Sequence, residues 1–190
     1  EITAKLGATD AAGKLTVTVA NATAPTAAAP APTKTSANVI SLFSDVYTDV
    51  TGDTWSARWD SAAVVDEDVA GNATKKYTNM VFAGVEFTTA PVNASTMTNI
   101  HFDIWSPNAT SFKIKLVDFG ADKAFGGGDD TEHELTYDSA STPAIVTGSW
   151  ISFDIPLSSF TGMTSRGAVA QMILSSSNAT VYVDNIYFWK

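Results

Sequence analysis

Short runs of alternating apolar and polar residues recur along this chain from Asn38 onward, and Gly, Pro, Asn and Asp separate one run from the next. Such alternation is typical of β-strands with one buried face, because successive side chains of a strand point to opposite sides. Few segments show helical spacing, although the stretch 62–73 is compatible with one helical turn. The runs predict nine strands: Val39–Phe43, Trp59–Val64, Asn79–Phe87, Ile100–Trp105, Ser111–Val117, Glu132–Tyr137, Trp150–Ile155, Ala170–Ser175 and Thr180–Trp189. Without alternating helices, this order predicts an all-β fold, an antiparallel β-sandwich of the jelly-roll type.

The first 35 residues differ from the rest of the chain. Residues 1–6 and 14–20 alternate apolar and polar side chains around a Gly-containing connection, which predicts a β-hairpin. Since two strands do not form a stable domain alone, we interpret residues 1–23 as part of a domain; they resemble the C-terminal strands of a bacterial immunoglobulin-like domain. Residues 24–35 are rich in Pro, Ala and Thr, which predicts an extended, semi-rigid linker. Residues 36–190 then form the main domain.

Charge and composition exclude several classes of function. Eleven Lys and Arg stand against twenty Asp and Glu, a formal net charge of −9, whereas nucleic-acid binding requires a basic surface. No apolar run approaches about 18 residues, so we expect no membrane insertion. Cysteine is absent, which excludes disulfides, thiolate metal sites and cysteine nucleophiles. We interpret this acidic chain, which lacks an initiator Met and a signal peptide, as a mature or excised fragment from a bacterial extracellular or outer-membrane surface.

The alternation also assigns side chains to the two faces of a sheet. In the predicted strand Ile100–Trp105, the even-numbered residues are apolar and are expected to face the core. His101, Asp103 and Trp105 then point to the other face, which we expect to be wet. In the next strand the even-numbered residues again face inward, and Lys115 faces outward. A wet face that carries Trp, His, Asp and Lys together is unusual for a merely solvated sheet.

Such a face matches the chemistry of sugar binding. A pyranose has an apolar patch of C–H bonds that stacks on a flat aromatic ring, and hydroxyl groups that bind polar side chains. Trp55 and Trp59 are four residues apart, which predicts two indoles on one side of an extended strand, and Tyr77 is a further candidate platform. Core packing is an equal alternative for Trp55, and packing is the favoured role of Trp150 and Trp189. The candidate ligand-binding residues are Trp55, Trp59, Tyr77, His101, Asp103, Trp105 and Lys115.

Several runs in a fixed order carry a family resemblance: residues 39–45, Asp53-Thr54-Trp55 with Trp59, and residues 99–105, 150–160 and 181–188. Over about residues 39–190 the chain resembles carbohydrate-binding modules of marine Bacteroidota. Those modules are appended to laminarinase-type glycoside hydrolases or occur in surface glycan-binding proteins. The resemblance implies a non-catalytic jelly roll that binds a β-glucan, most plausibly β-1,3-glucan of the laminarin type. It also implies a tethered hydrolase or an outer-membrane uptake complex as a partner.

The same resemblance implies a structural Ca²⁺ ion between the first strand and the start of the last strand. Asp184 matches one ligand position and Asp45 lies near the other, although Ser44 stands where relatives carry Glu. Calcium takes six to eight oxygen ligands, and loop carbonyls commonly supply some of them. A second acidic cluster, around Gly126-Gly127-Gly128, matches no EF-hand spacing and is expected to be a solvated loop.

Two other functions remain open from the sequence alone. A glycoside hydrolase requires two carboxylates across a cleft, and Asp103, Glu132, Glu134 and Asp154 offer such groups. None of these four lies in a recognisable catalytic motif. A structural or adhesin repeat of a surface protein would account for the N-terminal hairpin and the Pro-rich tract, but not for the aromatic and polar face. We therefore expect a protein that binds a polysaccharide without cleaving it.

Overall fold

A computed structural model describes residues 22–190, and the predicted N-terminal hairpin lies outside these residues. The described part of the chain contains eight strands: β1 Val39–Phe43, β2 Ser61–Val69, β3 Asn72–Glu86, β4 Asn99–Trp105, β5 Ser111–Asp118, β6 Thr131–Asp138, β7 Ile151–Pro156 and β8 Val169–Trp189. Its two helices are short 3-10 segments, Ser36–Asn38 and Leu157–Ser159. All strand pairs are antiparallel, which confirms the predicted fold class. No helix within residues 22–190 has the length and apolar character needed to span a membrane.

Two boundaries differ from the prediction for physical reasons. The stretch 62–73 contains no helical turn; it forms a β2–β3 hairpin whose two connecting residues, Ala70 and Gly71, have φ of 55° and 85°. Positive φ at both positions matches the right-handed twist of the paired strands. The last two predicted strands are one continuous strand, β8, because Asn178 adopts a φ of 55° without ending the pairing.

The long strands β3 and β8, of 15 and 21 residues, contribute to both layers of the sandwich. Residues 82–86 of β3 pair with residues 171–175 of β8, which pair in turn with β5, and β5 pairs with β6. We call this layer the front sheet. The remaining halves of β3 and β8 join β1, β2, β4 and β7 in the back sheet. The register of β3 shifts twice between Tyr77 and Phe82, and such bulges bend a strand.

Aromatic side chains from both sheets fill the space between them. Phe102 of β4 and Phe153 of β7 stack with ring centroids 4.7 Å apart. From the front sheet, Phe112 lies 5.6 Å from Phe102, and Tyr137 lies 4.8 Å from Phe153. The three Phe side chains are at most 1% exposed, and burial stabilises the fold by about 1.5–3 kcal/mol for each. The inward faces predicted for β4 and β5 are confirmed.

Residues 24–34, which we call the strap, lie against the outer face of the back sheet without forming a helix or strand. Three side chains of the domain donate hydrogen bonds to strap carbonyls: Trp150 Nε1 to Ala27 (2.8 Å), Asn185 Nδ2 to Pro30 (3.0 Å) and Tyr47 Oη to Lys34 (2.7 Å). Ala29 is buried, and Lys34 Nζ lies 3.3 Å from the centroid of the Trp189 ring. Proline has no backbone N–H group to donate. This Pro-rich segment therefore binds the domain through its carbonyl oxygens, which accept hydrogen bonds from domain side chains. The tract predicted as a linker is therefore packed on the domain.

Candidate functional site

The outer face of the front sheet forms an open groove of about 1120 Å³. Its floor is set by the pairing register, because residues opposite each other on neighbouring strands point to the same side. Lys115 of β5 faces Ile173 of β8, which faces Gly84 of β3. The other groove residues used below are Trp59, Phe82, Glu86, Lys113, Phe119, Lys123, Phe125, Glu132, Glu134 and Gln171.

Trp59 is the exposed aromatic platform at one side of the groove. Its side chain remains 47% exposed, although the ring plane lies within 19° of that of Phe82, with centroids 6.2 Å apart. The indole Nε1 donates a hydrogen bond of 3.0 Å to Glu86 Oε1. A large apolar ring held at the surface is poorly explained by core packing and well suited to stacking on a ligand.

Charged side chains on β5 and β6 border the groove in pairs. Lys113 Nζ lies 2.9 Å from Glu134 Oε1, and Lys115 Nζ lies 2.9 Å from Glu132 Oε1. These pairs are partly exposed, so each contributes only about 0–1 kcal/mol to stability. Their ammonium and carboxylate groups are therefore available to exchange partners with ligand hydroxyl groups at little cost.

The loop between β5 and β6 borders the groove with a second aromatic residue. Phe125 is 76% exposed, and its ring centroid lies 5.6 Å from that of Phe119. The acidic residues of this loop bind its own backbone: Asp129 accepts the N–H of Ala121 at 2.6 Å, and Asp130 accepts that of Gly126 at 2.7 Å. These contacts give the acidic cluster a role in the shape of the loop.

Two of the seven predicted ligand-binding residues, Trp59 and Lys115, line this groove. The expected exposure of Tyr77 is wrong: it is fully buried, its Oη donates to the Trp55 carbonyl at 2.9 Å, and burial raises its pKa. Trp55 packs edge-on against Phe43, with centroids 5.4 Å apart. Trp55 and Trp59 do not share a strand face, because the segment before β2 is irregular and turns between them.

The other three predicted residues are His101, Asp103 and Trp105. They point away from the core, as predicted, but the prediction that they are exposed is wrong. Trp105 is only 3% exposed and packs in a cluster that includes Ala24 of the strap. Asp103 is fully buried and accepts a hydrogen bond of 2.9 Å from Asn185 Nδ2, which also binds the strap. The predicted wet face is thus covered by a segment distant in sequence, and the groove lies on the opposite sheet.

The predicted calcium ligands differ in environment. Asp45 is exposed, and its Oδ2 accepts hydrogen bonds from Asn72 Nδ2 and the Ala73 N–H, both at 2.7 Å. Asp184 is fully buried and its Oδ2 has no hydrogen-bond partner. Burial, with contributions from the carboxylates of Asp103, Asp45 and Asp49, raises the pKa of Asp184 to about 7. Within residues 22–190 no three His, Cys, Asp or Glu side chains converge on one point, so a bound ion would need oxygen ligands of other kinds as well.

Sequence reasoning did not include Phe82, Glu86, Gln171 and Lys113 among the candidate site residues. Lys113 follows the same alternation as Lys115, so the pattern could have assigned both to one site. Phe82 and Glu86 were missed because the register shifts of β3 interrupt the simple alternation between Tyr77 and Phe82. Gln171 lies beside Glu86 only through the β3–β8 pairing, which a single sequence does not specify.

Comparisons with known proteins identify the family and the fold. A family model described as carbohydrate binding domain 30 matches residues 36–190. The family 30 module of a cellulosomal cellulase of Clostridium thermocellum is 15% identical, with a TM-score of 0.57 over 79% of this chain and 96% of that chain. The family 11 module of another cellulosomal cellulase of that organism is 17% identical, with a TM-score of 0.53 over 80% and 94%.

A third structure, a family 28 module specific for non-crystalline cellulose, is 16% identical, with a TM-score of 0.52 over 72% of this chain and 87% of that chain. At these identities the three structures support the sandwich fold alone. Among curated protein sequences, none matches this chain.

Proposed function

This chain belongs to the family of carbohydrate binding domain 30, a family of non-catalytic carbohydrate-binding modules, and we propose that it binds β-1,3-glucan of the laminarin type in the front-sheet groove. The observation that carries the proposal is the exposed indole of Trp59 beside ordered polar groups. The ring would stack on the C–H face of a glucose unit, and the paired Lys and Glu side chains of β5 and β6 would bind its hydroxyl groups.

The charge of the groove favours a neutral polysaccharide. Three lysines, Lys113, Lys115 and Lys123, line it together with three glutamates, Glu86, Glu132 and Glu134. A polyanionic glycan would be repelled by these carboxylates and would disrupt the ion pairs of Lys113 and Lys115, whereas a neutral glucan leaves the charge balance unchanged. Binding in such an open groove is an equilibrium capture of modest affinity, because a limited area is buried.

We also propose a surface setting for this activity. The chain would be extracellular or exposed on an outer membrane, and it would concentrate glucan for a tethered hydrolase or an uptake complex. Support comes from its resemblance to modules of surface glycan-binding proteins and from the cellulase origin of two structural neighbours. Protease accessibility of the native protein on intact cells tests the location, and co-purification with a glucanase or uptake complex tests the partner.

Calcium is part of the proposal. The buried, unpartnered Asp184 Oδ2 is suited to a cation, and Asp45 would provide a second carboxylate. When bound, Ca²⁺ would supply structural cross-linking of the two ends of the domain. Millimolar Ca²⁺ should raise the melting temperature relative to EDTA, and D184N should remove that difference. Equal melting temperatures of the wild type in Ca²⁺ and EDTA would reject the metal site.

Affinity electrophoresis in laminarin, combined with a reducing-sugar assay, tests the function of the full chain. We expect retardation without sugar release, and weaker retardation in gels that contain a soluble β-1,4-glucan. Release of sugar would instead indicate a glycoside hydrolase. Neither retardation nor release would favour the structural or adhesin repeat. Equal or stronger retardation by the β-1,4-glucan would reject the preference for β-1,3-linkages.

A further inference from the structure

Trp59 lies on an irregular segment, yet its ring has a defined place over the front sheet. The segment is tied to one residue of β3 from both sides: the Ala57 N–H donates to the Gly84 carbonyl, and the Gly84 N–H donates to Asp60 Oδ2, each at 3.0 Å. Asp60 Oδ1 also accepts a hydrogen bond of 3.1 Å from Ser56 Oγ. The backbone that carries Trp59 is therefore clamped to β3 by contacts within the protein.

The ring itself rests where β3 has no side chain. A Cβ atom added to Gly84 would lie 2.6 Å from Trp59 Cζ2 and 2.9 Å from Ala57 Cβ, closer than real Cβ contacts allow. The φ angle of Gly84 is not in the left-handed region, so glycine is required here by the close approach of the indole and not by the backbone conformation.

The polar edge of the indole is fixed by a carboxylate. Glu86 Oε1 accepts hydrogen bonds from Trp59 Nε1 at 3.0 Å and from Gln171 Nε2 at 3.1 Å. Gln171 lies directly opposite Glu86 in the β3–β8 pairing. Glu86 is thus itself held in place, and it restricts rotation of an indole that would otherwise sample several rotamers at the surface.

From these contacts we infer that Gly84 and Glu86 are positioning residues that hold Trp59 in its sugar-stacking orientation before the glycan arrives. This inference rests on the proposed function, because it assumes that Trp59 contacts the ligand. A side chain ordered in advance loses less conformational entropy on binding, which strengthens affinity without a new contact to the ligand. Glu86 acts through Trp59 and does not need to touch the sugar.

The test uses the indole N–H signals of the ¹⁵N-labelled full chain, which contains five Trp residues. W59F assigns the Trp59 signal by its loss. E86A should shift this signal and no other indole signal, and should weaken laminarin binding about threefold to tenfold. E86Q retains an oxygen acceptor, so it should restore most of the signal position and most of the affinity. G84A should shift the same signal by displacing the ring.

A matched control is E67A, which removes a glutamate from the back-sheet ion pair with Lys76. It should change neither the Trp59 signal nor the affinity. The inference is wrong if E86A weakens binding without moving the Trp59 signal, since Glu86 would then contact the glycan directly. It is also wrong if the signal moves and the affinity does not change.

Failure of the proposed function gives a different pattern. If the wild-type chain does not bind laminarin, the glycan proposal fails while the spectra still show whether Glu86 and Gly84 hold the ring. An unchanged Trp59 signal in both E86A and G84A would overturn the positioning role by itself.

Discussion

The two sheets of the sandwich each have a tryptophan at the outward face, but the two indoles differ in exposure. On the front face, Trp59 is 47% exposed; on the back face, Trp105 is 3% exposed although its strand position also points outward. The strap accounts for part of this difference, because Ala24 packs against the Trp105 cluster. Alternation therefore determines the side of a sheet on which a residue lies, whereas exposure depends on which distant segments cover that side.

The strap also differs from the rest of the domain in its relation to the family. The family match begins at residue 36, after the strap, yet the side chains that bind the strap lie within the match. A fragment cut at residue 36 would leave Trp150 Nε1 and Asn185 Nδ2 without these acceptors. Any binding experiment on the domain should therefore retain residues 24–34.

The largest expected effect is on the covered face. Trp105→Ala should lower the free energy of unfolding by about 3–5 kcal/mol, because it removes a buried ring that packs against Tyr182. Laminarin affinity of the folded fraction should not change. Chemical denaturation and calorimetric titration measure the two quantities. Intact stability with lost affinity would mean that the back face, and not the front-sheet groove, is the binding surface.

The second-largest effect is expected at the front face, where the main loss should be of affinity and not of stability. Trp59→Ala should reduce laminarin affinity at least about tenfold, because aromatic side chains commonly carry much of the binding energy of a site. Stability should fall by only about 0.5–1.5 kcal/mol, because the change removes the hydrogen bond to Glu86 but no core residue. Isothermal titration and thermal unfolding of the same sample test this pair of expectations. A large loss of stability would show that Trp59 is a packing residue.

The fold could be predicted from the sequence because strand alternation is a local property. The inward positions of β4 and β5 were assigned correctly from parity alone, and the buried Phe102 and Phe112 confirm them. The residues that line the candidate site could be predicted only in part. Trp59 and Lys115 were found because an indole with polar neighbours and an outward lysine carry their chemistry in the sequence itself.

The remaining site residues depend on contacts that local sequence does not encode. Glu86 meets Trp59 and Gln171 only after β3 pairs with β8. Conversely, the burial of Asp103 results from Asn185, which also binds Pro30 of the strap, 155 residues away in the chain. The Pro-rich composition indicated an extended segment but gave no sign of the surface that receives it.

A smaller effect is expected at the strap. Trp150→Phe retains an aromatic ring and removes the Nε1 donor to Ala27, which should cost about 0.5–1.5 kcal/mol. The loosened strap should expose the bond after Lys34, so trypsin should cleave there faster than in the wild type. Laminarin affinity should stay the same. An unchanged cleavage rate would mean that the strap is held by its other contacts.

The smallest effect is expected at the edge of the groove. Lys115 and Lys76 form equivalent ion pairs, at 2.9 Å with Glu132 and at 2.8 Å with Glu67, and each lysine side chain is 28% exposed. Lys115→Ala and Lys76→Ala should therefore each cost no more than about 1 kcal/mol of stability after solvent screening.

Of these two lysines, only Lys115 lies on the front face. Only Lys115→Ala should therefore weaken laminarin binding, by about twofold to fivefold for the loss of one hydroxyl contact. Titration of both variants with laminarin at one salt concentration separates the effect of the lysine's position on affinity from the effect of losing one positive charge. Because the two pairs match in length and lysine exposure, equal loss of affinity would indicate a general effect of net charge. Loss confined to Lys76→Ala would move the binding surface to the back sheet.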